Sequence, residues 1–268
     1  LKNKNIQNLI KEELFLLMLQ KTLIVDKLLE KLLTKLRSEL LSILIDTKQN
    51  TLKEYFNFIV SLAEQCFLNE YIYNQSKKEI NQAKQLKHKI LKNKKIYELE
   101  IIVLGCYIPL HNSKKIIKKL LNYKSNNILF NDLVNLQIKE PLKEIKLVNS
   151  IKSFDKIADS VSKKVREQYE ENPYPRWRYT YKNLASNFLI QLNKEIKPNK
   201  VEYNNNFISP NVLVAGCGTG QHIAFIADKY LNADILAIDL SLASLAYAKR
   251  KIEELNHKNI KFLHADIL

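Results

Sequence analysis

Glycine, cysteine and tryptophan are scarce in this chain of 268 residues, which has four, three and one of them. The cysteines, Cys66, Cys106 and Cys217, are odd in number, widely spaced and without the spacing of zinc ligands. Such a set argues against a disulfide framework and against a metal site, and it is typical of a reducing compartment. We therefore expect a cytoplasmic protein without a bound metal.

Long hydrophobic runs are missing as well. The longest uncharged apolar stretches are residues 14–19 and 101–110, whereas a membrane-spanning helix needs about 20 apolar residues. The N-terminal residues do not show the ordered basic, apolar and small-residue segments of a secretory signal. The sequence predicts no membrane segment, and its 46% of hydrophobic residues is typical of a folded protein.

Arginine is scarce although the chain is basic, with a net charge of +15 and only five arginines among 43 basic residues. Residues 1–150 carry 26 basic and 15 acidic side chains, and residues 151–268 carry 17 and 13. Bidentate recognition of phosphate or guanine prefers arginine to lysine. The composition therefore favours a solvated, lysine-rich helical surface, and a face that binds RNA or an acidic partner stays open as the alternative.

Residues 1–150 are predicted to form an α-helical region, arranged as a bundle or an array. In its clearest segment, leucines recur at steps of three and four and form one stripe: Leu28, Leu29, Leu32, Leu33, Leu36, Leu40, Leu41 and Leu44. Further amphipathic helices are predicted at 51–73, 76–92, 95–107, 114–123 and 127–138. Short polar breaks, such as residues 47–50, imply antiparallel neighbours. No fixed repeat of about 33 to 47 residues is present, so this stretch does not predict a helical-repeat solenoid.

Residues 151–210 are predicted to hold helices, a strap and a linker. The helices are expected at 155–171 and 181–195. Between them, residues 172–177 read Asn-Pro-Tyr-Pro-Arg-Trp, and the two prolines disfavour helix and predict a stiff, extended strap. The polar, breaker-rich stretch 198–210 is expected to be the last loop before a different kind of domain.

Residues 211–268 alternate between apolar runs and helical segments. Strands are predicted at 212–215, 235–238 and 260–263, with helices at 223–230 and 242–255 between them. Strands that are apolar on both faces and alternate with helices predict a parallel sheet covered by helices. The expected fold is a Rossmann-like α/β domain with three strands.

A cluster of glycines follows the first of these strands. Three of the four glycines in the chain lie in Gly216-Cys217-Gly218-Thr219-Gly220. A dinucleotide fingerprint would have its third glycine where Gln221 stands, and a phosphate-binding P-loop would end in Gly-Lys-Ser/Thr, which this loop lacks. Asp239 comes 19 residues after Gly220, at the end of the second strand, where a carboxylate can accept hydrogen bonds from ribose hydroxyls.

Residues 212–220 resemble the first motif of class I S-adenosylmethionine-dependent methyltransferases. The resemblance implies S-adenosylmethionine as cofactor, a seven-stranded sheet of which only the first three strands are present, and an acidic residue after the third strand that binds the adenine amino group. The implied cofactor-binding residues are Ala215, Gly216, Cys217, Gly218, Gly220, Asp239, Leu240, Ala265 and Asp266.

Two upstream stretches extend this resemblance. Residues 161–177, and more loosely 63–71, are similar to segments of a bacterial group of methyltransferases often joined to tetratricopeptide repeats. Within the strap, Tyr174, Arg176 and Trp177 are expected to form a lid or a substrate wall. The alternative is that the strap only fastens the helical region to the α/β domain.

The resulting hypothesis is a methyltransferase that transfers a methyl group from S-adenosylmethionine to an unidentified acceptor, a small molecule, a protein or RNA. The helical region is expected to offer a surface for a protein partner, and no catalytic residue is identified. Because the sequence begins with Leu1 and stops after the third strand, we expect a truncated chain that is inactive by itself. A helical scaffold with a remnant nucleotide-binding domain is one alternative, and a nicotinamide- or nucleotide-dependent enzyme is another.

Overall fold

The computed structural model describes residues 3–46, 52–154, 159–182, 184–202 and 208–267. The chain divides into two compact units, Leu1–Leu142 and Lys143–Leu268. The sequence predicts the end of the helical region at residue 150 and a separate segment at 151–210, whereas the structure includes that segment in the second unit. The predicted polar breaks at 47–50 and 204–206 lie outside the described residues.

The first unit is helical, as predicted. Its helices are α1 (Lys4–Leu9), α2 (Glu13–Lys21), α3 (Lys27–Ile45), α4 (Phe56–Leu68), α5 (Lys77–Lys92), α6 (Glu98–Gly105), α7 (Lys114–Leu121) and α8 (Ile128–Val134). Short 3₁₀ turns cover Lys53–Tyr55 and Leu110–Asn112, and a π-helical turn, Asn135–Lys139, leads into α9 (Glu140–Val148).

Local signals fix the ends of these helices. Helix α5 begins with a capping box, in which Ser76 and Glu79 each accept from the other's backbone N–H, and this arrangement satisfies two otherwise unpaired donors. Helix α4 is shorter than the predicted 51–73, because Glu70 and Tyr71 have φ values of 56° and 58°. Two consecutive residues in the left-handed region cannot continue a right-handed helix.

Helix α4 lies at the centre of the first unit, and every residue from Phe58 to Leu68 is buried. Five leucines of the predicted stripe on α3 pack into the same core: Leu33, Leu36, Leu40, Leu41 and Leu44. Leu29 and Leu32 are partly buried and pack against this core, whereas Leu28 is 76% exposed and lies outside the packing face.

The second unit contains a parallel sheet of four strands, one more than predicted. The strands are β1 (Lys152–Ser153), β2 (Asn211–Ala215), β3 (Asp234–Asp239) and β4 (Ile260–His264). Their order in the sheet is β1-β4-β3-β2, and all adjacent pairs are parallel. The sequence does not reveal β1, because two exposed polar residues carry no strand pattern.

The helices of the second unit after α9 are α10 (Ser160–Glu171), α11 (Phe188–Glu195), α12 (Gln221–Lys229) and α13 (Leu242–Glu254). The predicted helix at 181–195 is wrong in its first half, because Asn187 caps α11 through its side chain and the helix begins only at Phe188. The predicted start of α10, residues 155–158, lies outside the described residues. Ile223, Ile235 and Leu245, from α12, β3 and α13, pack in the core of this unit.

Within the described part of the chain, none of the helices combines the length and the apolar character that a membrane crossing requires.

Candidate functional site

The glycine-rich loop joins β2 to α12 and has a backbone that only glycine adopts readily. Gly216, Gly218 and Gly220 have φ values of 66°, 52° and 82°. A Cβ atom on Gly220 would lie 2.6 Å from the Cβ of Ala248, so this glycine allows α12 and α13 to approach closely. A Cβ on Gly216 or Gly218 would meet no atom within 4 Å, so the loop backbone faces open space there.

Asp239, the last residue of β3, connects this loop to the start of α13. Its Oδ2 accepts a hydrogen bond from the backbone N–H of Gly218 at 2.7 Å, and its Oδ1 accepts one from the N–H of Ser241 at 2.9 Å. Each carboxylate oxygen has two lone pairs. Asp239 can therefore hold the loop in place and still accept hydrogen bonds from the hydroxyls of a ligand.

A cleft of about 280 Å³ opens beside Asp239, at the carboxyl ends of the strands, where α/β sheets bind ligands. It has a polar side around Asp239 and apolar walls. The residues that line it are Val165, Tyr169, Tyr174, Gly216, Gly218, Asp239, Leu240, Ser244, Ala265 and Ile267.

Five of the predicted cofactor-binding residues line this cleft: Gly216, Gly218, Asp239, Leu240 and Ala265. The other four, Ala215, Cys217, Gly220 and Asp266, do not line it. The half-buried Asp266 lies between two residues that do. Burial and the nearby Asp239 raise the pKa of the Cys217 thiol well above its ordinary value, so the thiol is protonated at neutral pH and is not a nucleophile.

The sequence did not single out four residues that line the cleft: Val165, Tyr169, Ser244 and Ile267. Val165 and Tyr169 recur at four-residue spacing on α10, a pattern that predicts a packing stripe. In the structure these two side chains are 38% and 41% exposed. Apolar side chains left exposed at a cleft are typical of a ligand wall.

Glu170 fixes α10 against the start of α13. Its Oε1 accepts from the N–H of Leu242 at 2.7 Å, and its Oε2 accepts from the N–H of Ala243 at 3.2 Å. The Ser241 hydroxyl donates to the carbonyl of Tyr169 at 3.1 Å. A carboxylate at a helix N-terminus satisfies unpaired N–H groups and is favoured by the helix dipole, so these bonds hold Tyr169 beside the cleft.

The strap after α10 is bonded to the glycine-rich loop. The indole Nε1–H of Trp177 donates to the carbonyl of Thr219 at 2.8 Å, and the hydroxyl of Thr219 donates to the carbonyl of Pro175 at 2.7 Å. The hydroxyl of Tyr247 donates to the carbonyl of Trp177 at 2.5 Å. Trp177 is 6% exposed and does not line the cleft.

Arg176 is also buried, at 7% exposure. It forms an ion pair with Glu144 at 3.7 Å, a carboxylate that also pairs with Arg250 at 2.7 Å. Of the three residues predicted to form a lid or wall, Tyr174 lines the cleft, whereas Arg176 and Trp177 fasten the strap within the second unit.

His264, the last residue of β4, contacts both Leu240, which lines the cleft, and Ser153 of β1. Its Nε2 lies 2.9 Å from the carbonyl oxygen of Leu240, and its Nδ1 lies 3.0 Å from the hydroxyl of Ser153. A carbonyl oxygen only accepts hydrogen bonds, so Nε2 is the donor to Leu240. The short strand β1 is thereby connected to a residue that lines the cleft.

Comparisons with known proteins identify the α/β segment. Residues 212–268 match the family model described as a methyltransferase domain. A stretch of 57 residues is 46% identical to a tRNA (guanine-N(7)-)-methyltransferase of Rubrobacter xylanophilus and covers 21% of this chain and 26% of that protein. A stretch of 58 residues is 34% identical to a malonyl-(acyl-carrier protein) O-methyltransferase of a Paenibacillus species and covers 22% of this chain and 21% of that protein. No solved structure matches the chain with significance.

These matches confirm the resemblance of the α/β segment to methyltransferases. The aligned part spans about a quarter or less of these curated relatives. The link to tetratricopeptide repeats and the expected truncation stay predictions.

Proposed function

We propose that the cleft beside Asp239 binds S-adenosylmethionine and that the protein is a methyltransferase. The observation that carries the proposal is a pair of hydrogen bonds accepted by Asp239, one from the glycine-rich loop and one from the start of α13. This arrangement lies within the segment that matches methyltransferases. The acceptor of the methyl group is not assigned.

The residues of the cleft fit the chemical groups of this cofactor. Asp239 retains acceptor sites for the two ribose hydroxyls. The open space over Gly216 and Gly218 allows the methionine part to approach the loop backbone without meeting a Cβ. Leu240 and Tyr169 line the cleft and offer apolar surface to the adenine ring. In the proposal, the carboxylate of Asp266 accepts a hydrogen bond from the adenine amino group, as the family resemblance implies.

The cofactor, when bound, supplies a methyl group that is electrophilic because it is attached to a sulfonium. The contribution of this chain is then to bind and orient, since methyl transfer to a positioned nucleophile depends mainly on proximity and alignment. Cys217 does not accept the methyl group in this scheme, because its thiol is buried, protonated and outside the cleft. No side chain is assigned as a general base.

We also propose a cytoplasmic location. In support, Cys66, Cys106 and Cys217 are all free and buried, as in proteins kept reduced.

Isothermal titration of the chain with S-adenosylmethionine tests the proposal. We expect binding, and we expect Asp239→Asn to weaken it by roughly tenfold to a hundredfold, because a hydrogen bond to a charged acceptor contributes about 1.5–3 kcal/mol. Asp234→Asn is the matched control, since Asp234 begins the same strand, is exposed and lies outside the cleft. We expect that control to bind like the wild type.

Two results would overturn the proposal. One is the absence of any binding at millimolar ligand by a chain whose circular dichroism shows that it is folded; this result would favour a helical scaffold with a remnant domain. The other is displacement of the methyl donor by NAD, which would favour a nicotinamide-dependent enzyme.

A further inference from the structure

The positive charge of the helical unit is concentrated in one segment. Residues 76–124 contain 13 lysines and three glutamates. Residues 1–75 contain ten basic and nine acidic side chains, and residues 125–150 contain three of each. A general abundance of lysine in the chain would spread the charge evenly, so it does not explain this distribution.

The three glutamates of this segment are engaged with other partners. Glu79 is buried, lies 3.6 Å from Arg37 and accepts from the hydroxyl of Tyr107 at 3.1 Å. Glu98 accepts from the hydroxyls of Tyr123 and Ser125. Glu100 is 2% exposed and pairs with Lys89 at 2.9 Å. Among these contacts of the three glutamates, that of Glu100 with Lys89 is the one made to a surface lysine of the segment.

A contact made by Lys119 brings the lysines of α5 and α7 together. Its Nζ donates to the carbonyl of Ile90 at 2.8 Å and to the carbonyl of Asn93, so the last turns of the two helices are neighbours. The exposed lysines around this contact form a surface that we call the basic patch: Lys92, Lys94, Lys95, Lys115 and Lys118. Among the described residues, no carboxylate pairs with any of the five.

We propose that the basic patch binds the phosphate backbone of RNA. Like charges on one surface without paired carboxylates repel one another and lower the stability of the free protein. A polymer with one negative charge per nucleotide relieves that repulsion and releases its own counterions on binding. The inference does not depend on the proposed methyltransferase activity.

The composition of the patch favours an RNA backbone over other anionic partners. Insertion into a membrane surface requires an apolar face beside the charges, whereas Leu86, Ile90, Ile116 and Leu120 of these two helices are buried in the core. Arginine, whose planar fork matches phosphate and guanine bidentately, is absent from residues 76–124, so the patch would hold phosphates through single contacts of lysine ammonium groups.

An aromatic ring accompanies the charges. Tyr97 is 41% exposed, and the Nζ of Lys95 lies 5.4 Å from its ring centre. Exposed aromatic rings stack on unpaired bases without regard to sequence. A patch of lysines with one such ring should therefore bind single-stranded RNA and show little base preference.

Fluorescence anisotropy of a labelled single-stranded oligouridylate, titrated with the whole chain at several salt concentrations, tests the proposal. The logarithm of the binding constant should fall linearly with the logarithm of the salt concentration, with a slope of about 0.7 for each phosphate contact. A variant with all five patch lysines changed to glutamine should bind roughly tenfold or more weakly and show a smaller slope.

The matched control loses the same charge elsewhere on the same unit. It changes five exposed lysines that lie outside the patch to glutamine: Lys4, Lys27, Lys31, Lys35 and Lys53. We expect this control to keep its affinity within about twofold, because phosphate contacts act locally and distant surface charges are screened.

Several outcomes would overturn the inference. They are no binding by the wild type at low salt, an equal loss in both variants, and patch-dependent binding to phosphatidylglycerol vesicles without binding to RNA. All measurements are made without S-adenosylmethionine, so a failure here is independent of a failure to bind the cofactor. Circular dichroism of each variant checks that the helices remain formed.

Discussion

Trp177 and Thr219 are joined by a 2.8 Å hydrogen bond from the indole Nε1–H to the backbone carbonyl. They are far apart in sequence, and the bond connects the strap to the glycine-rich loop. The hydroxyl of Thr219 returns a second bond to the carbonyl of Pro175. The loop conformation therefore depends on the strap as well as on its own glycines.

Thr219→Val tests this dependence. Valine keeps the shape of threonine but removes the hydroxyl, so the carbonyl of Pro175 loses its donor, at a cost of about 1–3 kcal/mol. Trp177 is the only tryptophan of the chain, and its fluorescence during urea unfolding reports on the second unit. We expect a lower midpoint. Thr180→Val, at a partly exposed position, should leave the midpoint unchanged, and an equal shift in the two variants would contradict the prediction.

Glu170→Ala should weaken the start of α13. Removal of a side-chain cap costs about 0.5–2 kcal/mol, and the N–H groups of Leu242 and Ala243 lose their acceptor. The wall of the cleft near Tyr169 loses support, so we expect weaker binding of S-adenosylmethionine in calorimetry as well as a lower urea midpoint. The neighbouring Glu171, which is exposed, provides the control Glu171→Ala. Unchanged values for Glu170→Ala would show that its bonds contribute nothing.

Gly220→Ala and Gly218→Ala should have different effects. The added Cβ at Gly220 lies 2.6 Å from Ala248, so that variant combines backbone strain with overpacking, each of about 1–3 kcal/mol. At Gly218, which lines the cleft, the added Cβ meets open space, so only the backbone strain applies. We expect Gly220→Ala to be the less stable variant in urea. Greater destabilisation by Gly218→Ala would contradict the close packing of Gly220 against Ala248.

Cys217 should make the second unit less stable in alkaline solution. Burial raises the pKa of its thiol in the folded protein, whereas the thiol of the unfolded chain ionises near pH 8.5. The stabilisation is therefore fully present below about pH 8.5 and is lost as the pH rises toward the folded-state pKa. Urea midpoints of the wild type should fall faster above this pH than those of Cys217→Ala. Parallel curves would exclude this contribution.

The sequence predicts the parts of the site that depend on local signals. Three clustered glycines after an apolar run predict the loop, and the position of Asp239 follows from its place at the end of the next strand. Periodicity predicts most helices of the first unit, although it does not reveal that Glu70 and Tyr71 stop α4 early.

The contributions of α10 and β1 could not be predicted, because they depend on tertiary contacts. Glu170 accepts hydrogen bonds from the N–H groups of Leu242 and Ala243. No local sequence pattern indicates that its partners lie about 70 residues further along the chain. The two residues of β1 become a strand only because Leu263 and His264 lie beside them. The strap shows the same limit, since its prolines predict stiffness but not which side chain faces the cleft.

The order of the strands bears on how easily a protease can cut the chain around the cleft. Strands β1 and β2 form opposite edges of the sheet, so the chain between them crosses three strand spacings, roughly 14 Å. Helix α10 and Tyr174, which border the cleft, belong to this crossing. We therefore expect a ligand bound in the cleft to slow proteolysis of residues 160–177, because binding stabilises the folded form.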